Sequence, residues 1–220
     1  DVQKWATASL IWKQGDTHVL CSATVEDRVP PFLRGKGSGW VTAEYAMLPT
    51  ATSERMQRES VKGKLGGRTY EIQRLIGRSL RGVVDTSTMG EKTVTVDCDV
   101  IQADGGTRCA SITGGFIALS LALRKAGLER AVTNKIAAIS VGIVEATPLL
   151  DLEYTEDSSA EVDFNVVGTD AGTYVEVQGT AEGKPFDREG MDALLALADN
   201  GLEQLFKIQD TVLVGESAEQ

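Results

Sequence analysis

The stretch from 93 to 123 constrains this chain more than any other. Residues 93–101 alternate: Val94, Val96, Cys98 and Val100 point one way and Thr95, Asp97 and Asp99 the other, the period of a half-buried strand. Asp104-Gly105-Gly106-Thr107-Arg108 follows, and then a helix from about Ser111 to Leu123 in which almost every residue is apolar. A helix without a polar face is buried on most of its sides. The chain must therefore wrap its other elements around this one.

Those elements can be read from periodicity. Strand patterns at 6–12 and 17–26 are joined by the hairpin-like turn Lys13-Gln14-Gly15-Asp16, and a further strand covers 37–47. Ile72, Leu75, Ile76, Leu80, Val83 and Val84 fall at helical spacing, which predicts a helix over 69–84 with Thr69 as its N-cap. The second half echoes the plan, with strands at 136–144, 149–154, 161–167 and 173–179 and a long helix over 187–208 capped by Asp187. Strands followed by helix, twice over, predict an α+β fold of two ββαβ-type halves sharing one core. The expected organisation is a single domain over 1–212 with a polar tail at 213–220.

With 42% hydrophobic residues in 220, a sizeable core is assured and disorder is disfavoured. No run approaches the roughly 18 consecutive apolar residues of a membrane span. The opening DVQKWATASL lacks the charged-then-apolar layout of a secretory signal. Three cysteines without a CxxC pair indicate neither a disulfide framework nor a zinc site, so a reducing cytoplasm is the expected compartment. A single histidine, His18, excludes a Ser-His-Asp triad or a histidine metal cluster within the chain. Chemistry must run on carboxylates, arginines, lysines or a metal.

A net charge of −10 disfavours a nucleic-acid partner until its distribution is considered. Between Glu54 and Arg81 eight basic residues (Arg55, Arg58, Lys62, Lys64, Arg68, Arg74, Arg78, Arg81) face three acidic ones, while Asp151 to Asp163 holds six acids and no base. One segment is suited to a polyanion, the other to a divalent cation. The turn Gly105-Gly106-Thr107-Arg108 opens a buried helix, where orphan N–H groups and the dipole favour an anion and an adjacent arginine adds a forked contact. No Gly-Lys-Ser/Thr follows, so the turn is not a Walker A loop. Gly66-Gly67-Arg68-Thr69 repeats the arrangement. Either turn alone is equally compatible with a tight connection and a surface arginine, but two of them suggest a small tetrahedral anion held between guanidinium groups. In the acidic segment, Val162, Phe164 and Val166 point inward on a strand while Glu161, Asp163 and Asn165 share the opposite face. Such carboxylates hold Mg²⁺ together with water and substrate phosphate, move a proton, or merely form a solvated face.

The runs FLRGKG (32–37), GWVTAEY (39–45), GRTYEIQRLIGR (67–78), DCDVIQADGGTR (97–108), DLEY (151–154), EDS (156–158) and VQGTAE (177–182) resemble the bacterial ribonuclease PH family, in consistent order from about residue 7 to 208. The resemblance implies a ribosomal protein S5 domain 2-like fold, a hexameric ring built as a trimer of dimers, and phosphate-dependent 3′→5′ shortening of RNA, including the 3′ ends of tRNA precursors. It places the phosphate site on Arg68, Gly106, Thr107 and Arg108, the catalytic and Mg²⁺-associated aspartates on Asp157 and Asp163, and RNA-guiding basic residues on Arg55 and Arg58. A basic residue often found after the Leu-Pro of the RNA-binding loop is Thr50 here. Two competing functions remain open at this level: a non-catalytic RNA-binding ring subunit, and a Mg²⁺-dependent hydrolytic nuclease.

Overall fold

The computed structural model describes residues 1–215. Strands β1 (Ala8–Gln14), β2 (Thr17–Glu26), β3 (Trp40–Met47) and β4 (Thr93–Gln102) form a four-stranded sheet in the order β1-β2-β4-β3. β3 and β4 run parallel and the other pairs antiparallel. A short helix α1 (Glu59–Lys62) and the longer α2 (Gly67–Arg81) cross between β3 and β4. Helix α3 (Thr107–Lys125) leads to a second four-stranded sheet of β5 (Ile136–Val144), β6 (Thr147–Leu150), β7 (Val162–Thr169) and β8 (Tyr174–Ala181), ordered β6-β5-β7-β8 and wholly antiparallel. A single turn α4 (Tyr154–Asp157) interrupts it, and α5 (Arg188–Gly215) is the last of the described elements.

The apolar helix explains the arrangement. Every residue of α3 from Cys109 to Leu123 is buried, because both sheets pack against it. Its small residues set the spacing on one side: a Cβ on Gly114 would lie 2.6 Å from Trp12 Cβ and 2.9 Å from Cys21 Sγ, and one on Gly115 would lie 3.3 Å from Val96 Cγ1. On the other side Thr113 bonds the β5 backbone, accepting from Ala138 N–H at 3.0 Å. Buried Gln209 on α5 donates to Ile136 O at 2.9 Å, tying the last helix to the same layer.

Several expected boundaries move, each for a local reason. The first long helix begins at Gly67 with Gly66 as cap, so Thr69 lies inside it. Glu59 supplies the missing acceptor from outside, taking Gly66 N–H at 3.1 Å and Thr69 Oγ1–H at 2.8 Å. The buried helix starts at Thr107 rather than about Ser111, directly after Gly106. The strand expected over 149–154 ends at Leu150. Asp151 takes φ 60°, and Glu153 and Glu156 then form a capping box that winds Tyr154–Asp157 into a helical turn. Asp187 does cap α5, accepting from Gly190 N–H at 2.9 Å. That helix continues to Gly215, so the first residues of the expected tail are helical and 216–220 lie outside the described residues.

Gly114→Ala places a methyl where the first sheet already stands, and overpacking of this kind costs about 1–3 kcal/mol. A urea titration should show that loss as a lower midpoint with an unchanged slope. An unaltered midpoint would mean that the helix and sheet have room between them.

Candidate active site

The N-terminus of α3 opens at the seam between the two sheets. Gly105 and Gly106 both have positive φ, 74° and 55°. A Cβ on Gly105 would sit 2.3 Å from Leu152 O, so this position requires glycine on space as well as on conformation. The turn is pinned from both halves. Thr17 Oγ1 donates to Gly105 O at 2.7 Å and accepts from Asp104 N–H at 2.8 Å, while Asp104 Oδ1 accepts from Tyr154 N–H at 3.2 Å. Held in this way, the first N–H groups of α3 have no carbonyl partner within the helix, and Thr107 and Arg108, which carry two of them, line a cleft.

That cleft, of about 380 Å³, gathers Arg68, Gly106, Thr107, Arg108, Asp157 and Asp163. Six of the eight site residues expected from the sequence are thus brought together. Arg68 arrives on the first turn of α2, Thr107 and Arg108 on that of α3, Asp157 at the end of α4 and Asp163 on β7. Arg55 and Arg58 do not line the cleft; they occupy the exposed loop before α1, next to Met56, which does. The other acids of 151–163 separate. Asp151, Glu153 and Glu156 line a different depression on the far side of Gly105, and Glu161 accepts from Ala146 N–H at 3.0 Å.

Several contributing residues were not singled out by the sequence. Asn165 Nδ2 donates to Asp163 Oδ1 at 3.0 Å, and the Cys109 thiol donates to Asn165 Oδ1 at 3.3 Å, which fixes the amide's orientation. Burial pushes the Cys109 thiol up to about 12, so it remains a donor. Tyr45 Oη lies 3.0 Å from Thr107 Oγ1 in a buried contact. Burial raises the Tyr45 phenol and keeps it protonated. It can therefore donate to Thr107 and leave the threonine's own proton free for the cleft. Arg108 is bonded by Glu71 on α2 and Gln178 on β8. Strand alternation placed Asn165 beside Asp163; Tyr45, Glu71 and Gln178 lie within the family-like runs at 39–45, 67–78 and 177–182, but nothing in their local pattern marks them as site residues.

Burial and the neighbouring Asp157 both raise the Asp163 carboxyl above its ordinary range, with Arg108, the Asn165 amide and Arg68 opposing them. Two carboxylates facing one cleft beside two arginines resemble a divalent-cation site short of ligands. Among the described residues no group of three or more His, Cys, Asp or Glu side chains is placed to hold a metal. An ion here would need water and substrate oxygens to complete its shell, as Mg²⁺ commonly does.

Residues 1–129 match the model of the 3′ exoribonuclease family, domain 1, and residues 134–201 that of domain 2. Over 216 residues the chain is 58% identical to ribonuclease PH of Syntrophomonas wolfei subsp. wolfei, covering 96% of this chain and 90% of that one. It belongs to the ribonuclease PH family. The ribonuclease PH fold extends to more distant structures. Rice (Oryza sativa) Rrp46 superposes with TM-score 0.78 at 17% identity, covering 97% of this chain and 91% of Rrp46. The Archaeoglobus fulgidus exosome with RNA bound to the active site superposes with TM-score 0.77 at 20% identity, covering 94% of this chain and 85% of that one.

The opposing influences on Asp163 give a signed test. Asp157→Asn removes a repelling charge and should lower the Asp163 titration midpoint, whereas Asn165→Ala removes a bond to the carboxylate and should raise it. Carboxyl ¹³C NMR of the metal-free protein reads both. Shifts in the same direction would contradict this arrangement.

Proposed function

We propose that this cleft carries out phosphorolysis, with Arg68, Thr107, Arg108 and the N-terminus of α3 holding orthophosphate against the last phosphodiester of an RNA chain. The observation that carries this reading is the convergence of two arginines from separate helices with a glycine-built helix mouth and two aspartates in one cleft. The chain is a phosphate-dependent 3′→5′ exoribonuclease of the tRNA nucleotidyltransferase type. An oxygen of orthophosphate attacks the phosphorus joining the terminal nucleotide to its neighbour. The P–O bond to the neighbour's 3′ oxygen breaks, and a nucleoside diphosphate leaves. One P–O bond replaces another of similar energy, so the reverse polymerisation is expected too.

The difficulty is electrostatic, since an anion must approach an anionic diester. At close range in a partly desolvated site such charges repel by about 4 kcal/mol. Arg68 and Arg108 offset that repulsion, and the fixed N–H groups of α3 do so without reorganising. Asp157 and Asp163 are the residues that would hold Mg²⁺, which would supply further neutralisation of the scissile group when bound. In the alternative arrangement Asp163, the carboxyl in the cleft whose hold on a proton is raised, would protonate the departing 3′ oxygen instead of holding the ion.

Arg55 and Arg58, exposed on the loop beside Met56, are suited to guide the RNA backbone toward the cleft. Precursor tRNA 3′ ends are the proposed substrate, and a hexameric trimer of dimers the proposed assembly. No helix among the described residues is long and apolar enough to cross a membrane. A non-catalytic ring subunit is disfavoured because both arginines and both aspartates line the cleft.

Arg108→Ala should lower phosphate-dependent RNA shortening by about 10²–10³-fold while thermal unfolding stays near wild type. Chromatography of the wild-type products should give nucleoside diphosphates, and only when phosphate is added. Near-normal activity of the variant would refute the assignment of Arg108, and monophosphates formed without phosphate would point to hydrolysis.

A further inference from the structure

The Arg108 guanidinium is held on one side only. Its Nη1 donates to Gln178 Oε1 at 2.8 Å and to Glu71 Oε1 at 3.2 Å, which uses both hydrogens on that nitrogen. Nε and Nη2 have no protein partner among the described residues. Those two nitrogens form the edge that binds a tetrahedral oxyanion in forked fashion. The two acceptors come from opposite halves of the molecule. Glu71 lies one turn beyond Arg68 on α2, and Gln178 lies on β8 directly across from Asn165 on β7. The side chain itself is only 13% exposed.

We infer that Glu71 and Gln178 are positioning residues that clamp Nη1 of Arg108 and thereby present its Nε–Nη2 edge to the incoming phosphate, an inference that rests on the phosphate site proposed above. A freely rotating arginine would have to be ordered by each phosphate that binds, at a cost in side-chain entropy. The clamp settles that order in advance. Gln178 also adjoins, across the strand pair, the Asn165 that holds Asp163, so the groups gripping phosphate and the carboxyl beside the leaving oxygen are set by one stretch of β7 and β8.

Glu71 makes the inference sharp, because its charge and its geometry predict opposite effects. As a carboxylate close to an anion site it repels phosphate, so on charge alone Glu71→Ala should tighten binding and lower the phosphate KM. As a clamp, its loss should loosen binding and raise that KM. Gln178→Ala removes the other half of the clamp without changing charge, so only geometry is altered.

The test is steady-state phosphorolysis of an RNA oligonucleotide at varied phosphate and, separately, at varied RNA. Glu71→Ala and Gln178→Ala should each raise the phosphate KM by about tenfold, the size of one lost charge-assisted hydrogen bond. The RNA KM, kcat at saturating phosphate and the melting temperature should hold near wild type. Glu71→Gln keeps an acceptor in place without the charge and should hold the phosphate KM at or below wild type. A phosphate KM that falls or stays unchanged in either alanine variant, or that stays raised in Glu71→Gln, overturns the clamp. Arg108→Ala separates the two levels of the argument. If it abolishes activity while the clamp variants keep a normal phosphate KM, the phosphate site stands and the clamp falls. If it keeps normal phosphate kinetics, the site assignment fails and takes the clamp with it.

Discussion

One constraint organises this molecule: α3 has no face that tolerates water. Buried from Cys109 to Leu123, it needs cover on all sides, and neither sheet alone can provide it. Packing the first sheet against Gly114 and Gly115 and the second against Thr113 satisfies the helix and joins the halves in one act. The N-terminus of that helix is then forced to emerge where the sheets meet. Orphan N–H groups, which would be a liability in a sealed core, become the floor of a cleft that residues from both halves can reach.

The electrostatics follow from this placement. The chain is acidic overall, with a net charge of −10, yet the cleft gathers cations because α2 and α3 both begin there with an arginine after a glycine turn. Not every base of the 54–81 segment serves the site. Arg78 pairs with Glu176, and Arg81 stacks over Trp40 while donating to Val41 O at 2.7 Å. These two hold α2 to the rest of the fold. Arg68, at the other end of the same helix, is exposed and lines the cleft. The acids divide in the same way, with Asp157 and Asp163 turned inward and their sequence neighbours engaged in turns and caps.

Comparison with relatives shows how little of the sequence the architecture needs. Identity is 58% with a bacterial ribonuclease PH but only 17% with rice Rrp46, and the latter still superposes with TM-score 0.78 over 97% of the chain. Such tolerance is expected when a fold rests on a pattern of apolar and small residues around one helix rather than on particular pairs. Functional groups are less interchangeable, since a guanidinium fork or a glycine at φ 74° has few substitutes.

The sequence by itself determined the main strands, the three long helices and the halves, because hydrophobic periodicity is written within each of them; the one-turn α1 and α4 are too short to carry such a pattern. Residues 17–26 and 136–144 form strands with the bounds their pattern implied. It also marked six cleft residues through local motifs and a family resemblance. It misplaced the ends that depend on distant or competing partners: Glu59 capping α2 from a separate turn, and Asp151 breaking the strand before α4. What only the tertiary structure decided is which polar groups touch. The contacts of Tyr45 with Thr107 and of Gln178 with Arg108 span 62 and 70 positions. No local preference encodes a bond across such a distance, and it exists only because the two sheets close on a common helix.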